Sequence, residues 1–212
     1  MRILLIEDHP IVRQGCRRLL QGVRGTEVRE AINAVDGLRL SHEFSPEIIL
    51  LDLRLPDGNG LDLLESLMSC DPVPKIIIFS MYEDPVFAAR ALEVGAKGYI
   101  TKNDDPDVLL QAIDKVRDGG VFLTASMAEK LALMTTNAGN DPLRDLSSRE
   151  HEVLDLLGQG MTLAEIADRL KVSYRTSAGI AAQVRSKLNV NSTAALIKWA
   201  VEHQRLASGG VR

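Results

Sequence analysis

Through residue 118, short apolar runs alternate with longer amphipathic segments, and this rhythm constrains the fold more than any other feature of the chain. Strands are predicted at Arg2–Ile6, Glu27–Ala31, Ile48–Leu51, Lys75–Ser80 and Gly98–Thr101. Helices are predicted at Ile11–Gln21, Val35–Phe44, Leu61–Met68, Val86–Val94 and Asp107–Asp118. Alternating β and α segments pack as a parallel sheet with helices on both faces. Ile48–Leu51 and Ile76–Phe79 are apolar at every position, the pattern of strands buried on both faces. The expected fold of this part is therefore α/β, a doubly wound five-stranded parallel sheet of the flavodoxin-like kind, closed by Gly119-Gly120.

The chemistry of this part lies at the ends of the runs. Asp52 ends Ile48–Leu51, Glu7 and Asp8 end Ile3–Ile6, Ser80 ends Ile76–Phe79, and Lys102 ends Gly98–Thr101. In a parallel sheet these ends share one edge, where open α/β sheets place their sites. Three acids chelate a hard divalent cation, and a lysine with a hydroxyl holds an anion beside it. That set suits phosphoryl transfer onto a carboxylate. The plainer reading, solvated loop residues unrelated to one another, requires several strand ends to agree by accident. His9 adjoins the acids and reads as part of the loop, not as a metal ligand. His42, His151 and His203 do not cluster and read as surface or partly packed.

Composition excludes other classes. No apolar run approaches the roughly 20 residues that span a bilayer, and the N-terminus lacks the pattern of a secretory signal. Cys16 and Cys70 form neither a disulfide framework nor a metal spacing, and Cys16 shares a helical face with Val12 and Leu19, so it reads as core. The net charge of −4 is unevenly spread. Residues 1–124 carry 14 basic and 20 acidic side chains, net −6, whereas residues 144–205 carry 9 basic and 7 acidic, net +2. The acidic part fits a cation site; the basic part permits nucleic-acid binding without demonstrating it.

After the sheet the grammar changes. Thr124–Met134 reads as a short helix, and Thr135–Pro142 as a small, polar linker. Ser147-Ser148-Arg149-Glu150 and Thr162-Leu163-Ala164-Glu165 are capping boxes. A helix from Tyr174 to about Leu188 follows Ser173 as cap, and a fourth runs from Ser192 to about Glu202. Short helix, tight turn and longer helix make a helix-turn-helix. The expected domains are 1–122, a bridge 123–143 with a possible short helix, an all-α four-helix domain 144–205 and a tail 206–212.

With Glu7-Asp8, Asp52, Pro56, Gly60, Ser80, Tyr99 and Lys102 in order, residues 1–122 resemble the receiver domain of a bacterial two-component response regulator. Leu146-Ser147-Ser148-Arg149-Glu150, Glu165-Ile166-Ala167, Ser173, Thr176 and Lys187-Leu188-Asn189-Val190 resemble the LuxR-type DNA-binding domain. Together they match the NarL/FixJ subfamily over nearly the whole chain. The resemblance implies Asp52 as phospho-acceptor for a sensor histidine kinase, and Mg²⁺ (or Mn²⁺) held by Glu7, Asp8, Asp52 and the Arg54 carbonyl. It implies Lys102 and Ser80 on the phosphoryl oxygens and Tyr99 as the conformational switch, against a Tyr packed statically. The Arg54 side chain is left between two roles, reaching the phosphoryl group or standing solvated in its loop. The implied protein is cytoplasmic, not an enzyme, not membrane-bound, and homodimeric on activation. It would pair through the first and fifth receiver helices, or through the fourth helix and fifth strand. It would bind double-stranded promoter DNA to regulate transcription.

The reading helix departs from the family. Base readout uses Arg, Lys, Asn or Gln, yet Ala178, Gly179 and Ala182 stand where polar or basic residues are common. The candidate DNA contacts are Arg175, Thr176, Ala178, Gly179, Ala182, Gln183, Arg185 and Lys187. The alternative is an output domain that acts through protein–protein contacts rather than DNA.

Overall fold

The computed structural model describes residues 1–23, 25–136, 143 and 146–208, with side chains described except at 135, 136, 148 and 202–208. It divides into two compact units, Met1–Thr136 and Asn137–Arg212. The first unit runs β1 (Arg2–Ile6), α1 (Pro10–Gln21), β2 (Glu27–Ala31), α2 (Ala34–Phe44), β3 (Ile48–Leu51), β4 (Arg54–Leu55), β5 (Gly58–Asn59), α3 (Gly60–Leu67), β6 (Lys75–Ser80), α4 (Pro85–Val94), β7 (Gly98–Thr101), α5 (Pro106–Arg117), β8 (Phe122–Leu123) and α6 (Ala125–Thr136).

The main sheet is parallel throughout, in the order β2-β1-β3-β6-β7-β8. It has six strands, which corrects the expected five. The sixth, β8, pairs Phe122 with Gly98 and Leu123 with Tyr99 along the open edge of β7. Two residues after a positive-φ Gly119 leave no periodic signal to read. A second two-stranded ladder, β4–β5, forms a small hairpin directly after Asp52.

Alternate strand residues feed two cores, as a period of two requires. Leu4, Ile6, Ile49, Leu51, Ile76 and Ile78 meet α2, α3 and α4 on one face. Ile3, Leu5, Ile48, Leu50 and Ile77 meet α1 and α5 on the other, where buried Cys16 joins them. Each fully buried Leu or Ile contributes roughly 1.5–3 kcal/mol, so the strand ends are carried on a stiff frame. Helix α6 belongs to this frame: Met127 is buried in the α4-side core, and Lys130 Nζ donates to the Glu83 carbonyl at 3.4 Å. The segment 137–142, on which the linker expectation falls, lies outside the described residues, as does 209–212 of the tail.

The second unit contains α7 (Ser148–Gly158), α8 (Leu163–Arg169), α9 (Tyr174–Lys187) and α10 (Thr193–Ser208). Both predicted capping boxes form, Ser147 with Glu150 and Thr162 with Glu165, and Ser173 caps α9 by accepting from the Thr176 amide at 3.0 Å. Its core gathers Leu143, Leu146, Val153, Leu154, Leu157, Ile166, Val184 and Leu196. His151 is buried, not surface-placed, with Nε2 2.9 Å from the Leu143 carbonyl. Ser177 donates to the Leu163 carbonyl at 2.9 Å, fixing α9 against the start of α8.

Glu150 also meets Lys187 Nζ at 2.7 Å. Burial works to raise its carboxyl, but the Lys187 ammonium and the Ser147 amide and hydroxyl outweigh it, leaving the pKa below the ordinary value. A depressed carboxyl contributes stability above its unfolded pKa of about 4.3 and loses it as pH falls through the folded value. Glu150→Gln is therefore expected to destabilise this unit by about 1 kcal/mol at neutral pH, the scale of a lost cap. The difference should vanish below pH ~4. Urea unfolding followed by fluorescence of Trp199, the one tryptophan, which packs on this core, checks it.

Candidate functional site

The strand ends converge as their sequence positions imply. Asp52, buried, begins the loop after β3, and its Oδ2 lies 2.7 Å from Lys102 Nζ. Its Oδ1 accepts from the Arg54 amide at 3.1 Å, which fixes the carboxylate plane. Lys102 Nζ also lies 2.6 Å from Glu7 Oε2. The lysine reaches this point because the Lys102 amide bonds the Ser80 carbonyl at 2.8 Å, extending β7 alongside the end of β6. Ser80 is fully buried at that end.

Glu7, Asp8, His9 and Asp52 each offer one ligand atom, all within 4.8 Å of one another. His9, set aside by the sequence reading, is drawn in because its Nδ1 lies 3.0 Å from Asp8 Oδ1. Burial first, then the Asp52 charge, pushes the Glu7 carboxyl above its ordinary pKa, with Lys102 working against both. Glu7 Oε2 is buried, and the Lys102 ammonium at 2.6 Å is its ion-pair partner. Three carboxylates gathered around a single ammonium fit a hard cation, and their oxygen donors suit Mg²⁺ or Mn²⁺.

The loop after Ser80 carries a residue that sequence reasoning missed. The Tyr82 amide donates to Ser80 Oγ at 3.4 Å, and the Tyr82 carbonyl accepts from the Tyr99 hydroxyl at 2.9 Å. The Tyr82 ring stacks on Phe87 with centroids 4.3 Å apart. The Arg54 guanidinium lies over the Tyr82 ring, 5.3 Å from its centroid. An aromatic face thus holds the Arg54 guanidinium, which is partly buried. Tyr99 is fully buried, and burial first, then the Asp84 charge, raises its hydroxyl well above the usual pKa. Glu83 accepts from Asn103 Nδ2 at 2.7 Å, joining the same loop to the residue after Lys102. A Ser80–Tyr82–Tyr99 chain has no signature in residue spacing, since its links run through backbone groups.

On α9, Arg175, Thr176, Gly179, Ala182, Gln183 and Lys187 are exposed along one side, Ala178 and Arg185 partly so. Lys187 is engaged with Glu150, and Arg185 has its Nε buried without a hydrogen-bond partner among the described residues. The exposed side also carries Tyr174, which the sequence reading passed over.

Comparison with known proteins agrees with this geometry. Residues 3–114 match the response regulator receiver domain, and residues 144–200 match the luxR family of bacterial regulatory proteins. The methanol utilization control regulatory protein MoxX of Paracoccus denitrificans is 31% identical over 93% of this chain and 89% of its own length. The oxygen regulatory protein NreC of Staphylococcus carnosus is 32% identical over 97% and 99%. Among solved structures, RcsB of Salmonella enterica serovar Typhimurium bound to promoter P1flhDC with the phosphomimetic BeF3⁻ is 25% identical. It covers 94% of this chain and 98% of that one, with a TM-score of 0.67. A receiver joined to a luxR-type domain is the make-up of a transcriptional response regulator. This chain belongs to that family, in its NarL/FixJ branch.

A Cβ built on Gly179 meets nothing within 4 Å. Gly179→Ala is therefore expected to stabilise the second unit by roughly 1 kcal/mol, the helix-propensity difference. A rightward shift of the Trp199 urea transition is the check; an unchanged midpoint would contradict the open environment.

Proposed function

We propose that the first unit accepts a phosphoryl group on Asp52 from a sensor histidine kinase, and that the second binds double-stranded promoter DNA as part of a homodimer. The observation that carries the first half is the buried Asp52 carboxylate, held by Lys102 at 2.7 Å amid a ring of acids. In the transfer, a carboxylate oxygen of Asp52 forms the new O–P bond while the P–N bond of the phosphohistidine breaks, its electron pair remaining on the imidazole. Lys102 offsets negative charge on the transferred group, and Ser80 donates its hydroxyl to a phosphoryl oxygen. Glu7, Asp8, Asp52 and the Arg54 carbonyl would hold Mg²⁺, which when bound supplies charge stabilisation for the phosphoryl oxygens. A Ser80 hydroxyl committed to phosphate no longer holds the Tyr82 amide in the same way. Tyr82 in turn holds Tyr99, so the loop relays the change to α4.

Of the two receiver surfaces considered for pairing, the β7 edge bears β8 and α4 bears α6. That supports pairing through α1 and α5. No described helix is long and apolar enough to cross a membrane, and a cytoplasmic location accords with a DNA partner. One observation favours a second reading: the exposed side of α9 centres on Ala178, Gly179 and Ala182, so protein–protein output is the competing function.

Intact-mass measurement after beryllofluoride or acetyl phosphate with MgCl2 should show one adduct, lost in Asp52→Ala. The same stoichiometric adduct on Asp52→Ala would overturn the assignment. For the output, DNA affinity should fall with salt, with a logarithmic slope near about −3 if three phosphates are contacted. Arg175→Ala should weaken binding more than Lys187→Ala, because Glu150 already occupies the lysine. Absence of binding to genomic fragments at low salt would favour the protein-contact reading.

A further inference from the structure

Resting on the reading of Asp52 as acceptor with a cation beside it, we propose that Asp57 is a positioning residue for the cation-holding loop. It clamps the hairpin that carries Arg54 to the first turn of α2. Asp57 occupies the turn between β4 and β5. Its Oδ1 accepts from the Ala34 amide at 2.8 Å and its Oδ2 from the Val35 amide at 3.1 Å. These are the first two amides of α2, which lack intrahelical acceptors. Asn33, the helix's own cap, serves a different amide, that of Asp36, at 2.7 Å. Asp57 thus completes a helix N-terminus from 23 residues away, with the carboxylate on the favourable end of the helix dipole.

The topology gives this clamp its consequence. Helix α2 follows β2, Asp57 follows β3, and β1 lies between them with Glu7 and Asp8 at its end. On the sheet side, the Glu7 amide bonds the Ala31 carbonyl at 3.0 Å and the Asp52 amide bonds the Ile6 carbonyl at 2.9 Å. Asp57 joins the outer two loops on the far side, closing a ring through all three strand ends. The hairpin that bears Arg54 is short, with the pairs Arg54–Asn59 and Leu55–Gly58 and the Gly60 amide on the Leu53 carbonyl at 2.9 Å, and a ladder of this length is marginal by itself. The position of the Arg54 carbonyl, and of the Arg54 amide that fixes Asp52, then depends on where Asp57 is tied. A surface cap that serves only α2 would have no such effect on the pocket.

The test titrates MgCl2 into the full chain by calorimetry, for wild type, Asp57→Ala, Asp57→Asn and Asn33→Ala. Asp57→Ala should weaken Mg²⁺ about tenfold, the scale of lost ligand support. Asp57→Asn, which removes the same charge but keeps one acceptor oxygen, should regain part of it. Asn33→Ala, which loosens α2 without touching the hairpin, should stay near wild type. Equal losses in Asp57→Ala and Asp57→Asn would mean charge alone and overturn the proposal, as would wild-type affinity in Asp57→Ala. Hydrogen exchange supplies a readout apart from the metal: Asp57→Ala should speed exchange at Arg54 as well as at Ala34 and Val35. Unchanged exchange at Arg54 overturns the clamp even if wild type gives no Mg²⁺ heat, a result that would itself sink only the cation reading.

Discussion

The contact on which the rest of the first unit turns is Lys102 Nζ, set 2.7 Å from Asp52 and 2.6 Å from Glu7 with almost no solvent around it. One ammonium faces three carboxylates, counting Asp8, so the ionised cluster keeps a net charge of −2. Burial and the neighbouring Asp52 charge raise the cost of ionising Glu7, which shows in its upward shift. Removing Lys102 would leave buried carboxylates unpaired, a loss on the order of 3–5 kcal/mol. The same imbalance gives the pocket affinity for added positive charge. A bound cation would relieve repulsion already present in the fold, and Asp52 would then present less negative charge to an incoming phosphoryl group.

That imbalance is held in place by the sheet, and the loop after β6 links the pocket to the core beside it. Ser80, Tyr82 and Tyr99 form a chain of hydrogen bonds from the pocket into the α4-side core. Tyr82 is the joint: its amide meets Ser80, its carbonyl meets Tyr99, its ring meets Phe87 and Arg54. A group with four such partners cannot shift for one of them without disturbing the others. Close-packed interiors transmit displacement in this way instead of absorbing it. Helix α6 shares this core through Met127.

The five long parallel strands and both capping boxes were legible in the sequence because each leaves a periodic or fixed-offset trace. Ile48–Leu51 is apolar at every position, and Ser147 lies three residues before Glu150. Asp52, Glu7, Asp8, Lys102 and Ser80 were legible as a group once the strands were parallel, since their shared edge follows from topology. What escaped has no such trace. β8 and the β4–β5 hairpin are two-residue strands specified by their neighbours. Tyr82 and Asp57 act through backbone groups, and buried His151 meets the carbonyl of Leu143, a core residue eight positions earlier. Such contacts depend on the assembled fold, so no local window contains them.

The second unit shows how a scaffold can be specified more firmly than its working surface. Ser177 is buried against the Leu163 carbonyl, Ser173 caps α9, and Lys187 is drawn back to Glu150. Each fixes the helix, and the last takes a cation away from the surface it would otherwise serve. Ala178, Gly179 and Ala182 then bring the backbone of α9 close to whatever it meets, with methyl groups but no side-chain donors. On DNA, such a face can touch thymine methyls, while Arg175 and Gln183 at either end supply polar reach. Phosphate contacts would carry much of the affinity and few base edges the specificity. Discrimination among sites would then depend on the spacing of two half-sites in a dimer, which couples the output to whatever pairs the receivers.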